Sequence, residues 1–382
     1  MQFTLADTVC SFYIHWPFCR SRCSYCPFIA LACHEQYMQK YHDSLMLEID
    51  AFADLYGKCI IPTLYIGGGT PSTWPDNLLL DMSGKIRSVF CTNRLDEVTI
   101  EVNPGTVRDN QLCMWRKCGI NRLSIGVQYG DSNILAALNR LQTEEDVTQL
   151  LLHASKEFDN ISVDIMLGLP GVDKNGWISF VQKVVSWPIK HISLYCLMVH
   201  EQTPLYYKVK RGDVKIPDEG LIADLYRWSI DFLGQHGFFQ YEVSNFARPG
   251  YESQHNTVYW DRKPYKGFGL GACSFDGNSR FMNEKNLMRY METVEQKKDP
   301  TTFSELLSAD DIRLETIMLG LRRNKGICYN YLLKGLSLER RSILEEKVQY
   351  FCDSNLLLVE DGFVRLTPAG FVVEQEIIAE LV

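Results

Sequence analysis

From residue 11 to about residue 236 the chain alternates short runs of β-branched and aromatic residues with longer stretches whose apolar positions fall three and four apart. Short apolar runs read as buried strands, and the wider spacing reads as one face of a helix. The pattern predicts strands over Ser11–Trp16, Thr63–Ile66, Val98–Val102, Arg122–Val127, Ile161–Met166 and His191–Tyr195. Between them it predicts helices, among them Gln36–Tyr56, where Tyr41, Leu45, Ile49 and Phe52 share a face, and Asp109–Lys117. Six β-α units in sequence imply a parallel sheet with right-handed crossovers. A closed eight-stranded barrel needs two more units than the pattern supplies. The expectation is therefore an α/β fold, an open six-unit (β/α)6 partial barrel over residues 1–236, with its chemistry at the C-terminal strand ends.

Residues 237–295 are dense in Tyr, Phe, Asn and Gly and show no helical period until about Asn286. They predict an irregular segment packed across the barrel mouth. Glu295-Gln296-Lys297-Lys298-Asp299-Pro300-Thr301-Thr302 has charge and proline but little apolar content, and reads as a linker. Residues 303–382 then form a third region. Ser337–Ser354 predicts a helix, Leu356–Val359 and Phe363–Leu366 flank Asp361-Gly362 as a hairpin, and Pro368–Leu381 predicts a final helix. That order suggests a winged-helix-like domain. Its final helix carries Glu374, Glu376 and Glu380 with no basic residue, which argues against reading DNA.

Composition narrows the setting. A formal charge of −8 over 382 residues disfavours nucleic-acid binding, which needs clustered Lys and Arg. Thirteen cysteines, an odd number scattered through periodic segments, do not suggest a disulfide framework. With no apolar run near a membrane span in length, the expectation is a cytoplasmic protein with free thiols and at most peripheral membrane contact.

Three of those thiols stand close together in Tyr13-Ile14-His15-Trp16-Pro17-Phe18-Cys19-Arg20-Ser21-Arg22-Cys23-Ser24-Tyr25-Cys26. A four-iron cube normally takes one thiolate per iron, so Cys19, Cys23 and Cys26 would leave one iron without a protein ligand. A Cys3His zinc site using Cys33 or His34 is the competing reading, although structural zinc usually takes paired ligands at both ends of the site. The C-x3-C-x2-C spacing resembles the signature of the radical-SAM superfamily, in which S-adenosylmethionine chelates the open iron.

The strand ends carry further polar and glycine-rich residues. The second leads into Gly67-Gly68-Gly69-Thr70-Pro71-Ser72, where missing side chains let backbone groups approach a ligand, and which lacks the Gly-Lys-Ser/Thr of a P-loop. The third ends in Glu101-Val102-Asn103-Pro104-Gly105 and the fourth in Gly126-Val127-Gln128, with Arg140 beyond it. The fifth carries Asp164. Each alone could be a satisfied barrel polar or a turn residue. Together they offer what a zwitterionic, ribose-bearing cofactor needs: a carboxylate for its ammonium, a cation for its carboxylate, and acceptors for its hydroxyls.

Tyr13-Ile14-His15-x-Pro17-Phe18-Cys19, Gly67-Gly68-Gly69-Thr70-Pro71-Ser72, Glu101-Val102-Asn103-Pro104-Gly105-Thr106 and Ser124-Ile125-Gly126-Val127-Gln128 resemble the coproporphyrinogen-dehydrogenase-related branch of radical-SAM proteins over nearly the whole chain. The resemblance implies a [4Fe–4S] cluster on Cys19, Cys23 and Cys26. It places Tyr13, Tyr25, Gly68, Gly69, Thr70, Glu101, Gln128, Arg140 and Asp164 around S-adenosylmethionine, which an electron from the cluster would cleave to a 5′-deoxyadenosyl radical and methionine.

Two families share this core, the oxygen-independent coproporphyrinogen III dehydrogenases and the HemW haem chaperones. The dehydrogenase pattern has a fourth cysteine two residues after the third, where this chain has Phe28, and a longer arm ahead of the cluster loop. Ser253-Gln254-His255-Asn256-Thr257-Val258-Tyr259-Trp260 contains HNxxYW, similar to the chaperones' haem-associated motif, and Tyr265-x-Gly267-x-Gly269-x-Gly271-Ala272 continues the likeness. The chain departs from the chaperone pattern at Pro27, often Asp, and at Leu141-Gln142, where Arg-x-His commonly follows Arg140. The chaperone reading is preferred, with porphyrinogen decarboxylation as the alternative. It implies haem, a haem-acceptor protein and an electron donor for the cluster as partners. His255 is the expected axial ligand, Tyr259 and Trp260 an apolar wall, and Cys273 and Tyr259 are rival ligands.

Overall fold

The computed structural model describes residues 3–4, 9–108 and 110–382. Its main sheet has twelve strands: β1 (Ser11–Trp16), β2 (Thr63–Gly68), β3 (Glu97–Val102), β4 (Arg122–Gln128), β5 (Asn160–Leu167), β6 (His191–Cys196), β7 (Phe239–Gln240), β8 (Asn245–Ala247), β9 (Tyr265–Phe268), β10 (Cys273–Phe275), β11 (Ser279–Asn283) and β12 (Thr301–Leu306). Their order is β12-β11-β10-β9-β1-β2-β3-β4-β5-β6-β8-β7. The six expected strands are neighbours in sequence order and all parallel. Helices at Met38–Tyr56, Asp76–Val89, Gln111–Lys117, Glu144–Glu157 and Lys174–Val184 lie on the crossovers between them. This is the open α/β arrangement that the periodicity predicts. The expected start of one helix, Asp109, lies outside the described residues.

The alternation of β1 shows how sequence becomes a site. Phe12, Ile14 and Trp16 are fully buried, and they pack outward, Phe12 against Phe52 and Trp16 against Tyr41 of the Met38–Tyr56 helix. Trp16 also stacks on Trp74 at 4.2 Å. The intervening Tyr13 and His15 therefore face the other way, into a cavity.

Residues 237–295 are not irregular. They form β7 and β8 on one flank of the sheet and β9 to β11 on the other, with helices at Gln254–Trp260 and Leu287–Glu295. β9 is a seventh parallel strand, beside β1. The sequence hides this because strands of two to four residues, one of them Tyr-Lys-Gly-Phe, are too short for a period to show. The predicted linker ends inside the sheet: β12 pairs with β11, so residues up to Leu306 belong to the main sheet rather than to a tail beginning at 303.

Beyond β12, helices at Ala309–Leu321, Tyr329–Leu333 and Leu338–Asp353 surround a small sheet of Ile327–Cys328, Phe363–Leu366 and Leu357–Glu360. The predicted final helix is two, Pro368–Val372 and Glu374–Leu381, broken at Val373 with φ −118° and ψ 32°. Glu374 pairs with Arg322 at 2.9 Å within the tail, and Glu315 pairs with Arg262 and Arg280, joining tail to sheet.

Glu48, buried on the Met38–Tyr56 helix, holds the added flank in place. It accepts from Lys266 Nζ at 3.3 Å, Gly269 N at 2.8 Å, Asn283 Nδ2 at 2.8 Å and Tyr290 Oη at 2.6 Å. Glu48→Ala should destabilise the protein by about 3–5 kcal/mol, because it leaves a buried ammonium and three donors unpaired. Glu380→Ala, at the exposed pair with Lys347, should cost under about 1 kcal/mol. Denaturant titration of both variants checks the contrast.

Candidate cofactor and ligand cavities

At the C-terminal strand ends a cavity of about 380 Å³ is lined by Cys19, Cys23 and Cys26 on one side and by Tyr25, Gly68, Gly69, Thr70, Glu101, Gln128, Arg140 and Asp164 around the rest. The cysteine loop leaves β1 and is tied down locally. His15 Nδ1 bonds Tyr13 Oη at 3.0 Å, and its Nε2 bonds the Ile29 carbonyl at 2.9 Å. The loop also meets the glycine turn after β2, where Gly69 N donates to Trp16 O at 2.7 Å and Thr70 N donates to Phe18 O at 2.9 Å. Only glycine suits this turn. Gly68 has φ +117°, and a Cβ on Gly69 would stand 2.6 Å from the Pro17 carbonyl oxygen.

The three thiols line one side of the cavity, Cys19 buried and Cys23 and Cys26 half-buried. Among the described residues no three His, Cys, Asp or Glu side chains close around one metal position, and His34, the histidine a zinc site would use, turns its Nδ1 to the Ala32 carbonyl at 2.6 Å. Thr70 Oγ1 donates to Cys19 Sγ at 3.2 Å, and Arg140 Nη1 lies 3.7 Å from Cys23 Sγ. The buried Tyr25 hydroxyl has no well-formed hydrogen bond, leaving a polar atom to be met in the cavity. Burial pushes the Cys19 thiol up to about 11, so metal binding there must displace a proton.

Opposite charges face the same space. Arg140 is held by Gln142 Oε1 at 2.8 Å, Asn103 Oδ1 at 3.0 Å and the Gly126 carbonyl, and Gln142 is itself fixed to Val127 O at 2.6 Å. The departure Leu141-Gln142 thus supplies the amide that orients Arg140, a role that no spacing rule announces. Glu101 accepts from Tyr65 Oη at 2.9 Å and from Gly68 N at 3.1 Å. Burial, with Asp164 nearby, lifts its carboxyl to about 7. Asp164 is likewise raised by burial, against the opposing pull of Ser193, Arg122 and Ser124. The β4 register slips between Gly126 and Gln128, and Gln128 takes φ +67° on the cavity wall.

Tyr13 lies on a second cavity of about 440 Å³, lined also by His15, Phe28, Ile29, Tyr259, Tyr265, Ala272, Cys273, Met282 and Lys285. The two cavities share Pro27, Phe28, Gly68 and Glu101. Tyr265 opens the glycine-rich motif already noted, whereas Met282 and Lys285 carry no motif and went unmarked in the sequence.

His255 lines neither cavity, contrary to its expected place as an open ligand. It is 1% exposed, on the Gln254–Trp260 helix, whose N-terminus is received by Glu97: His255 N donates to Oε1 at 2.9 Å and Gln254 N to Oε2 at 3.0 Å. Its Nδ1 bonds Thr63 Oγ1 at 2.8 Å, at the end of β2 away from the cysteines, and its Nε2 bonds Tyr259 Oη at 2.8 Å. Both ring nitrogens are therefore taken. Within HNxxYW it is Tyr259 that reaches the cavity wall.

With these sites in view, the likenesses to known proteins fall into place. The Radical SAM superfamily matches residues 13–184, and the HemN C-terminal domain matches 307–373. The haem chaperone HemW of Lactococcus lactis is 31% identical over 362 residues, 94% of each chain. The chain belongs to the HemW-type radical SAM family. Bacillus subtilis HemW is 29% identical, covering 96% of this chain and 97% of that one, and bovine mitochondrial radical S-adenosyl methionine domain-containing protein 1 is 30% identical, covering 97% and 86%. The structure of coproporphyrinogen III oxidase HemN from Escherichia coli matches with a TM-score of 0.83 over 98% of this chain and 89% of that one, at 24% identity, which establishes the shared fold. The family implies an iron–sulfur cluster and S-adenosylmethionine. Among the described residues no helix is long and apolar enough to cross a membrane.

Burial lowers His15 to about 4 and His255 to about 3. Unfolding frees both to bind protons near pH 6.5, so between about 6.5 and those values the unfolded chain holds more protons than the native one. The stability these two histidines contribute should therefore fall as pH drops below about 6.5, opposed by Glu101 and Glu242, whose carboxyls burial raises to about 7. Denaturant titrations across pH 4–7 should show a shallower fall in His255→Gln than in wild type.

Proposed function

We propose that this chain is a haem chaperone of the cytoplasm that carries a [4Fe–4S] cluster on Cys19, Cys23 and Cys26, binds S-adenosylmethionine beside it, and passes haem to an acceptor protein. The supporting observation is the pairing of a cavity that joins three thiols to opposed charges with a second, aromatic-lined cavity behind a common wall. Full-length kinship to proteins named HemW favours the same reading. When bound, the cluster and S-adenosylmethionine supply one-electron chemistry, fed by a separate electron donor.

The chain's own residues bind and orient. Arg140, held by Gln142 and Asn103, presents its charge to the methionine carboxylate. Glu101 receives the ammonium, Gln128 and Asp164 accept from ribose hydroxyls, and the Gly68-Gly69 backbone lets the ligand come close. Thr70 steadies Cys19, and Tyr25 closes the wall beside Cys23. Tyr13, expected beside S-adenosylmethionine, lines the second cavity instead.

Decarboxylation of coproporphyrinogen is the second reading, favoured by the fold shared with HemN. Against it stands Phe28, in the place of a fourth cysteine and 65% exposed between the cavities.

Anaerobic reconstitution should load about four irons per chain, and Cys23→Ala should abolish that loading. Haem titration of the same sample should show saturable uptake. Stoichiometric zinc without iron would refute the cluster, and multiple turnovers of coproporphyrinogen III to protoporphyrinogen IX would replace the chaperone reading with the enzymatic one. Because Glu101 must be ionised to hold an ammonium and its carboxyl titrates at about 7, S-adenosylmethionine affinity should weaken as pH falls from 8 to 6. Calorimetry under nitrogen should find weaker binding and a flatter pH profile in Glu101→Gln, with the cluster spectrum unchanged.

A further inference from the structure

The second cavity contains the chemistry of a tetrapyrrole seat. Its walls are aromatic and aliphatic: Tyr13, Phe28, Ile29, Tyr259, Tyr265 and Met282. Its size lies within the range of small-molecule pockets. Phe28, Cys273 and Lys285 are exposed, so one side opens to solvent and a bound macrocycle would keep an edge that an acceptor could reach.

The lining offers several donors for iron, and the structure ranks them. His15 has both ring nitrogens bonded, to Tyr13 and to Ile29. The Tyr259 hydroxyl is engaged by His255 Nε2. Burial pushes the Tyr265 phenol up to about 12 and Tyr13 well above its ordinary value, so neither readily gives a phenolate. Cys273 differs in having no such partner. It sits at the first position of β10, its thiol is in no hydrogen bond among the described residues, and it is paired across the sheet with Met282. Lys285, on the open side, is placed for a propionate.

Resting on the chaperone reading above, we infer that haem occupies this cavity with the Cys273 thiolate as axial ligand and a propionate on Lys285, while His255 braces Tyr259 from behind. Ligation replaces the S–H bond of Cys273 with an S–Fe bond and releases the proton to water, and no electron is transferred. Thiolate is an established haem ligand.

The test uses the full chain with its reconstituted cluster, titrated anaerobically with haem, then reduced with dithionite under carbon monoxide. Wild type should give the red-shifted Soret band of a thiolate-ligated ferrous carbonyl complex. Cys273→Ala should lose that band, and Lys285→Glu should keep it while binding at least about tenfold more weakly, the scale of one lost charged anchor. His255→Asn should keep the band. Lys285 is exposed, so its variant tests the cavity even if Cys273→Ala folds poorly. Wild-type spectrum and affinity in both Cys273→Ala and Lys285→Glu overturn the inference, as does a wild-type histidine-type spectrum that vanishes in His255→Asn. In either of those cases haem is still bound and the chaperone reading stands. No uptake by wild type overturns both.

Discussion

A carboxylate removed from water must be met by donors or it will not stay buried, and three such groups organise this molecule. Glu48 gathers Lys266, Gly269, Asn283 and Tyr290 from four places between residues 266 and 290. Glu97 receives the first backbone amides of the helix carrying HNxxYW. Glu101 joins Tyr65 to the glycine turn. The first fastens the added flank to the Met38–Tyr56 helix and the second fastens the HNxxYW helix to β3, and so they decide where Tyr259, Tyr265 and Cys273 stand. The third places charge where both cavities can meet it.

Much of this was legible in the sequence, for identifiable reasons. β1 to β6 are long enough for their apolar residues to show, and their order in the sheet follows from right-handed crossovers, so the C-terminal rim was predictable. The cysteine spacing and the glycine turn carry their chemistry in a few adjacent residues. His255 failed because its environment is not local: Thr63, which takes its Nδ1, is 192 residues away. A histidine in a ligand-like motif looks the same whether its nitrogens are open or taken. The short strands β7 to β11 failed for the opposite reason. They make sense only beside β1 and β6, and alone they carry too few residues to show a period. Gln142 was visible as a departure, but its hold on Arg140 depends on the β4 backbone reaching back to it.

The site also shows how a polar cavity is built inside an apolar barrel. His15 and His255, both neutral, act as hydrogen-bonding struts, one tying the cysteine loop and the other supporting Tyr259. Gly68 and Gly69 leave space where a side chain would collide with His15 or with the Pro17 carbonyl. The charged groups that remain, Arg140 with Glu101 and Asp164, are fixed by neighbours before any ligand arrives, which spares the ligand the cost of ordering them.

The wall of Pro27, Phe28, Gly68 and Glu101 belongs to both cavities. Were both cavities filled, any coupling through these four residues would be reciprocal: whatever factor the first ligand imposed on the second's dissociation constant, the second would return to the first. Handing over the macrocycle and exchanging the nucleoside cofactor would then be two faces of one equilibrium. The partition that separates the chambers would also be the element through which each reports its occupancy to the other.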